Sequence, residues 1–137
     1  MFKRTVTTVV AALSIVATAA GVSSAATPFN GNCQTGEFCI YKGTNFTNGI
    51  ADFTGDNAQY MPAGAPYFVN TGDSIQDDAG SSWNRSWTKP VRAYVEWNYG
   101  GASVYHQTAV AVCGGGLCNE YSSLGVFNNN FSSHKFL

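Results

Sequence analysis

The sequence predicts a small all-β protein built from two duplicated halves. Short runs rich in Val, Tyr, Phe and Trp are bounded by Gly, Asn, Asp and Pro, which is typical of strands separated by turns. No stretch after Thr27 has the apolar spacing of an amphipathic helix. A set of aromatic, glycine and Asx–Ser signals also occurs twice in the same order. The clearest strands are expected at 38–42, 50–53, 91–97 and 102–106.

Residues 1–26 have the pattern of a secretory signal peptide. Lys3 and Arg4 precede a mostly apolar run over 6–22, and small residues follow it. A membrane anchor is the alternative, but Thr and Ser interrupt the run, and a span needs about 20 mainly apolar residues. We therefore expect a secreted, extracellular protein with no membrane contact after cleavage. Residues 27–137 are long enough for one compact domain.

The charge of the mature part argues against nucleic acid as a partner. Without the signal it has five basic residues against eight acidic ones, a net charge of about −3. Its Lys and Arg residues are scattered, whereas phosphate binding by counterion release needs them clustered. We expect a monomer.

The four cysteines form two close pairs in sequence, Cys33 with Cys39 and Cys113 with Cys118. A chain addressed to an oxidising compartment is expected to use them as disulfides. Four cysteines permit three connectivities, and the duplication favours pairing within each half. Zinc binding is the alternative, but neither spacing is that of a zinc ribbon.

Two signals recur with nearly constant spacing. An aromatic pair recurs after 53 residues, and an Asx-Asx-x-x-Ser-Ser string recurs after 51. The aromatic pairs are Tyr41 with Phe46 and Tyr94 with Tyr99, and the strings occupy 77–82 and 128–133.

This order of signals resembles the βγ-crystallin Greek-key motif, two of which make one domain. The second copy fits fully with Gly101, whereas in the first Asn48 stands where the glycine belongs and Gly49 comes one residue late. After glycine, Asn is the residue that best tolerates the left-handed backbone. The resemblance implies a Greek-key β-sandwich of about eight strands, with motif one at about 32–85 and motif two at about 90–136. It also places the aromatic pairs at corners that clamp folded hairpins.

The cysteine loops make the resemblance more specific. The segments Cys33-Gln-Thr-Gly-Glu-Phe-Cys39 and Cys113-Gly-Gly-Gly-Leu-Cys118 are similar to the two disulfide loops of peptidase inhibitor family I36, whose fold has two Greek keys. The likeness covers about 32–136. It implies a secreted inhibitor of metalloproteases, with its reactive bond directly after Cys113.

The predicted inhibitory loop has an unusual composition. Its residues are Cys113, Gly114, Gly115, Gly116, Leu117 and Cys118. A disulfide-held loop docks with little loss of entropy, but Gly114 lacks the bulky apolar side chain that thermolysin-like proteases favour after the scissile bond. Two alternatives stay open. Leu117 supplies that side chain, with Gly116–Leu117 as the presented bond, or the glycines form a flexible turn without a binding role.

The two Asx–Ser strings are candidate calcium ligands. Carboxylate, amide and hydroxyl oxygens suit Ca²⁺, which takes six to eight oxygens. The resemblance implies two sites, each shared between both loops, of modest affinity at roughly 10⁻⁵ to 10⁻³ M. The ligand positions are Asp78 and Ser81 in the first string and Asn129 and Ser132 in the second, beside Asp77 and Asn128. Turn capping by the same side chains is the alternative.

The remaining aromatic residues and histidines have two further interpretations. Six aromatics either form an exposed carbohydrate platform or, as we expect, pack in the core: Trp83, Trp87, Trp97, Tyr94, Tyr99 and Tyr105. An enzyme is disfavoured, because only His106 and His134 could act as bases near neutral pH and no nucleophile or metalloprotease motif is visible.

The leading prediction is therefore a secreted, non-enzymatic peptidase inhibitor, and the signal and the resemblance suggest a bacterial source. The rival prediction is a calcium-binding crystallin-type module with a structural, protective or antagonistic role outside the cell.

Overall fold

The computed structural model describes residues 25–61, 66–113 and 116–137. The predicted signal peptide, apart from its last two residues, lies outside this range, and so do Gly114 and Gly115.

The described residues form nine short strands and three single 3₁₀ turns. The all-β prediction is confirmed. Strand 91–97 was predicted too long, because its last residue enters a 3₁₀ turn. The strands are β1 (Phe38–Tyr41), β2 (Ile50–Phe53), β3 (Ser81–Asn84), β4 (Val91–Tyr94), β5 (Ser103–His106), β6 (Val112–Cys113), β7 (Gly116–Leu117), β8 (Glu120–Tyr121) and β9 (Ser133–Phe136), and the turns are η1 (Thr44–Phe46), η2 (Trp97–Tyr99) and η3 (Gly125–Phe127).

Seven of the strands form two antiparallel sheets, ordered β2-β1-β3-β8 and β5-β4-β9. Strands β6 and β7 pair only with each other. The halves exchange strands, because β8 of the second half pairs with β3 of the first. In return, Asn57 of the first half forms a bridge to His134 of β9. This single bridge stands where an eighth sheet strand was expected.

The duplication is visible in the order of elements. Strands β1 and β2 and turn η1 are repeated 53 residues later by β4, β5 and η2. Strand β3 is repeated by β9 after 52 residues, so the second half is one residue shorter between its second and last strands.

The core lies between the two sheets. Alternate residues of the central strands point inward, which buries Phe38 and Ile40 of β1 and Val91 and Ala93 of β4. Tyr60, Phe68, Ile75 and Phe131 from the connecting loops complete it. Because loops contribute so much of the core, their conformation is tied to the packing of the sheets.

Two buried histidines lie on either side of Phe38. The ring of His106 is 5.0 Å from the Phe38 ring, and that of His134 is 5.1 Å away. Nε2 of His134 donates to the Gly55 carbonyl at 2.9 Å, so its Nδ1 accepts from the Tyr60 hydroxyl at 2.8 Å. Burial lowers the pKa of His106 to about 3 and that of His134 to about 4. Both are neutral packing residues without access to a substrate.

We predict that the fold loses stability in acid because of these histidines. Their pKa in the folded state lies below the ordinary value of 6.5, so the unfolded chain takes up protons first as the pH falls. Their contribution is complete above about pH 6.5 and declines towards pH 4, by roughly 1.4 kcal/mol per pH unit for each histidine. Urea unfolding across this range measures the slope.

The matched variants are His106→Gln and His134→Gln. Each should reduce the slope of unfolding free energy against pH by about 1.4 kcal/mol per pH unit, the equivalent of one bound proton. Equal slopes for the wild type and both variants would show that the histidines titrate normally in the folded state.

Each half carries a folded hairpin closed by an aromatic pair. The rings of Tyr41 and Phe46 lie 5.4 Å apart, and those of Tyr94 and Tyr99 lie 5.9 Å apart. Phe46 and Tyr99 adopt left-handed backbone angles, φ 60° and 65°. Asn48 adopts φ 58° where the second half has Gly101 at φ 72°, so asparagine replaces glycine as expected.

A buried serine holds each hairpin, and we call Ser81 and Ser133 the serine latches. Ser81 Oγ accepts the Phe46 N–H at 3.0 Å and donates to the Gly43 carbonyl at 2.7 Å. Ser133 Oγ accepts the Tyr99 N–H at 3.1 Å and donates to the Glu96 carbonyl at 2.6 Å. The latches therefore offset the cost of two unfavourable backbone conformations.

Replacing either latch by alanine is expected to destabilise the protein by about 2–3 kcal/mol, because a backbone N–H and a carbonyl lose their partners. The exposed Ser122→Ala is the control and should change stability by less than about 0.5 kcal/mol. Chemical denaturation compares the three variants. Latch variants as stable as the control would mean that the folded hairpins do not depend on the serine hydrogen bonds.

Candidate functional site

The predicted inhibitory loop is a hairpin separate from the two main sheets. Its strands pair Val112 with Leu117 and Cys113 with Gly116. Cys118 is disulfide-bonded, and its carbonyl accepts the Gln107 N–H at 3.0 Å. The side chains of 112–117 lie outside the described residues, so the predicted partner of Cys118 and the reactive bond stay predictions. The base of the hairpin is nevertheless fixed to the end of β5.

The first disulfide is formed as predicted, between Cys33 and Cys39 with 5.9 Å between their Cα atoms. Its loop lies over the outer side of β1, where Glu37 is fully buried. Glu37 Oε2 accepts the Gln34 N–H at 2.6 Å, and burial raises the pKa of this carboxyl. The loop is thus part of the packed structure.

The preceding segment is anchored by a second buried carboxylate. The side chain of Asp52 accepts N–H groups of Asn30 at 3.0 Å and Gly31 at 3.1 Å. The Phe29 N–H donates to the Asp52 carbonyl at 3.1 Å. Residues 29–31 are therefore held on the outer face of β2.

The two Asx–Ser strings meet across the pseudo-two-fold axis between the halves. The Asp77 N–H donates to the Phe131 carbonyl, and the Asn129 N–H donates to the Ala79 carbonyl. Asp77 and Asn129 also share a left-handed backbone, φ 54° and 58°. Asp77 and Asn129 are 52 residues apart, and so are Ala79 and Phe131. The structural repeat of these loops is therefore one residue longer than the offset of 51 at which the strings match in the sequence.

The corrected offset changes which residues correspond. Ser81 is equivalent to Ser133, since both are latches, and Ser132 is equivalent to Gly80. Ser81 is fully buried with its hydroxyl used by the hairpin. Asp78, the other predicted ligand of the first string, has its carboxylate 3.1 Å from Lys42 Nζ. The Ser81 hydroxyl is therefore engaged within its own hairpin, and one oxygen of the Asp78 carboxylate pairs with a lysine.

Oxygen atoms do converge on one side of the axis. Asp77 Oδ1 lies 3.2 Å from Ser132 Oγ, to which Gln76 Nε2 donates at 2.6 Å. Gln76 and Ser132 also line a surface cavity of about 400 Å³ together with Glu96. We call Gln76, Asp77, Glu96 and Ser132 the Ser132 cluster. Gln76 and Glu96 were missed from the sequence, because Gln76 precedes the matched string and Glu96 lies in the distant hairpin.

The equivalent place on the other side lacks these groups. By the internal repeat, Gly80 occupies the position equivalent to Ser132, Asn129 that of Asp77, and Gly43 that of Glu96. A Cβ atom at Gly80 would lie 2.5 Å from the Lys42 carbonyl oxygen, so no side chain fits there. Asn128, the equivalent of Gln76, is exposed. The duplication therefore supplies one oxygen-rich cluster rather than two.

The Ser132 cluster suits a hard cation better than a transition metal. In the part of the chain that the structure describes, no three His, Cys, Asp or Glu side chains are grouped for a metal. The cluster instead offers two carboxylates, a hydroxyl and an amide, the oxygen donors that Ca²⁺ takes. The donors come from both halves of the protein.

The six aromatics expected in the core lie outside it. Trp87 is 63% exposed and Trp97 is 48% exposed, and the other four are half-buried on outer sheet faces or hairpins. Alternation along each strand turns Tyr94 and Tyr105 outward, because their neighbours Ala93 and Val104 point inward. Since the six are spread over both sheets, they form no single platform.

Among the described residues, no helix has the length and apolarity needed to cross a membrane.

Solved βγ-crystallin domains share this architecture. One studied for the evolution of the eye-lens βγ-crystallin fold has 16% identity and a TM-score of 0.56, covering 78% of this chain and 90% of its own. A domain from Flavobacterium johnsoniae has 22% identity and a TM-score of 0.50, covering 73% and 92%. One from Clostridium beijerinckii has 17% identity and a TM-score of 0.52, covering 74% and 97%. The chain has a βγ-crystallin fold.

The amino-acid sequence shows to which protein family the chain belongs. The model of peptidase inhibitor family I36 matches residues 26–106, and the chain belongs to this family. The match includes the Cys33–Cys39 loop and strands β1 to β5 and ends before the β6–β7 hairpin. No curated protein matches the chain.

Proposed function

We propose that this protein is a secreted inhibitor of a metalloprotease and that it presents the β6–β7 hairpin to its target. Membership of peptidase inhibitor family I36 is the observation that carries the proposal. The signal-peptide pattern and the Cys33–Cys39 disulfide support secretion, because disulfides persist in oxidising compartments.

The hairpin has the mechanical properties that an inhibitory loop needs. It pairs with neither main sheet, so a protease could engage it without breaking a ladder of the sandwich. Its base is held by the Gln107–Cys118 hydrogen bond and by the disulfide of Cys118. A loop ordered before docking loses less conformational entropy in the protease cleft, which supports tight binding.

Leu117 is the residue on which target binding should depend. It is the only large apolar residue between the two cysteines, and the other three are glycines. Leucine in the protease pocket buries an apolar side chain, and removing such an anchor commonly costs more than 1 kcal/mol.

We predict that the mature protein inhibits a thermolysin-like protease at micromolar concentration and that Leu117→Ala raises its inhibition constant at least about tenfold. The assay is titration of protease activity on a peptide substrate. Val69→Ala is the matched control, because it truncates an exposed apolar residue of the other half and should leave inhibition unchanged. No inhibition by the wild type, or equal effects of the two variants, would contradict the proposal.

We further propose that the Ser132 cluster binds one calcium ion. The observation that favours it is the meeting of Asp77 Oδ1 and Ser132 Oγ at 3.2 Å beside an open cavity. Asp77, Ser132 and Glu96 would hold the ion. Gln76 would add its amide oxygen only by giving up the hydrogen bond that this oxygen accepts from Trp97 Nε1–H at 3.1 Å. Bound calcium would link the two halves by charge and so stabilise the sandwich.

Calcium at millimolar concentration is expected to raise the melting temperature by about 5 °C. A site with a Kd of roughly 10⁻⁴ M adds about 1.4 kcal/mol at that concentration. Asp77→Gly should abolish the shift, because glycine keeps the left-handed backbone and removes the carboxylate. Asn129→Gly, the equivalent change across the axis, should leave the shift intact.

The measurement is thermal unfolding in chelator and in calcium. Equal melting temperatures for the wild type in both solutions would contradict calcium binding. A shift abolished equally by both glycine variants would contradict the one-sided site.

A further inference from the structure

A polar groove lies between the first disulfide loop and the first folded hairpin. Its volume is about 390 Å³, and all of its lining residues are uncharged. Its principal side chains are Asn32, Tyr41, Phe46, Thr47, Asn48 and Asn70. They combine three amides with two aromatic rings.

Part of the hydrogen-bonding capacity of this groove is unused within the described residues. Thr47 Oγ1 donates to the Thr44 carbonyl at 2.7 Å. The side chains of Asn48 and Asn70 and the Tyr41 hydroxyl make no such bond to the described chain, and both asparagines are exposed. Each amide therefore offers a donor and an acceptor to a ligand.

The groove breaks the internal symmetry of the protein. Its inner wall, the Tyr41–Phe46 corner, is repeated in the second half by Tyr94 and Tyr99. Its outer walls come from Asn32 and Cys33, which precede β1, and from Asn70, which lies in the connection between β2 and β3. The groove is thus formed where these two segments border the first hairpin.

Asn48 places an amide in the groove at a position where glycine would suffice for the backbone. It occupies φ 58°, whereas Gly101 occupies φ 72° at the equivalent position. Asparagine tolerates this left-handed conformation better than other residues that carry a side chain, but it gains nothing there over glycine. The first half therefore keeps an amide at a place where the second half shows that glycine suffices.

The walls are held in place before any ligand arrives. Cys33 is fixed by its disulfide, and residues 29–31 are held by Asp52. Beside Asn70, the Val69 N–H donates to the Ile50 carbonyl at 2.8 Å. A preformed site saves the entropy of ordering its loops on binding.

We propose that this groove binds a neutral saccharide. An ionic ligand would find no opposite charge in the lining, and an apolar one would leave the amides unpaired. Sugar hydroxyls match amide donors and acceptors, while a sugar's C–H face packs on aromatic rings such as those of Tyr41 and Phe46. The site is independent of the inhibitory hairpin and of the Ser132 cluster.

The test is isothermal titration of the mature protein, in chelator, with maltohexaose, cellohexaose and the hexamer of N-acetylglucosamine. At least one of them should bind with a Kd below about 10 mM. Asn48→Gly and Asn70→Ala should each raise that Kd at least about fivefold, the equivalent of one hydrogen bond. Asn48→Gly should not lower the melting temperature, since glycine suits the backbone angle.

Asn128→Ala is the matched control, because it removes an exposed amide that does not line the groove, and it should leave the Kd unchanged. The proposal is overturned if none of the three oligosaccharides binds, or if both groove variants bind as the wild type does.

Discussion

The two serine latches tie the folded hairpin of each half to the loop through which that half meets the other. Ser81 and Ser133 hold hairpins whose aromatic residues, Phe46 and Tyr99, adopt left-handed backbone angles. Each latch follows directly after its Asx–Ser loop, so a hairpin of one sheet is tied to the loop that crosses the pseudo-two-fold axis. Strand exchange through β8 and Asn57 adds to this connection. The two halves are therefore joined through strand pairing and through these loops.

The candidate functional features all depart from the symmetry of this scaffold. Within the described residues, a separate two-stranded hairpin, β6–β7, occurs in the second half alone, and the amide-lined groove lies in the first half. The Ser132 cluster occupies one side of the axis, because Gly80 leaves no room for a side chain on the other. A symmetric framework thus gives the chain a rigid body, and its functional proposals rest on what each half adds.

Much of the fold could be predicted from the sequence, because strand alternation and turn residues are local signals. Tyr41 and Tyr94 are 53 residues apart, and the strands that contain them are equivalent. The Asx–Ser strings were harder to align from the sequence, because their Asx and Ser residues match at an offset of 51. Hydrogen bonds of Ser81 and Ser133 show that the equivalent residues are 52 apart. A short string of Asx and Ser residues cannot distinguish these alignments, since each serine suits either role until its neighbours are known.

By itself, the sequence determined the all-β class, the duplication, the likeness to the inhibitor family and the Cys33–Cys39 loop. Those properties depend on short-range patterns of hydrophobicity, turn residues and cysteine spacing. The tertiary structure alone decided that His106 and His134 are core residues, that Trp87 and Trp97 are exposed, and that Gln76 and Glu96 join Asp77 and Ser132. Burial and convergence are set by contacts between residues distant in sequence, and local patterns carry no information about them.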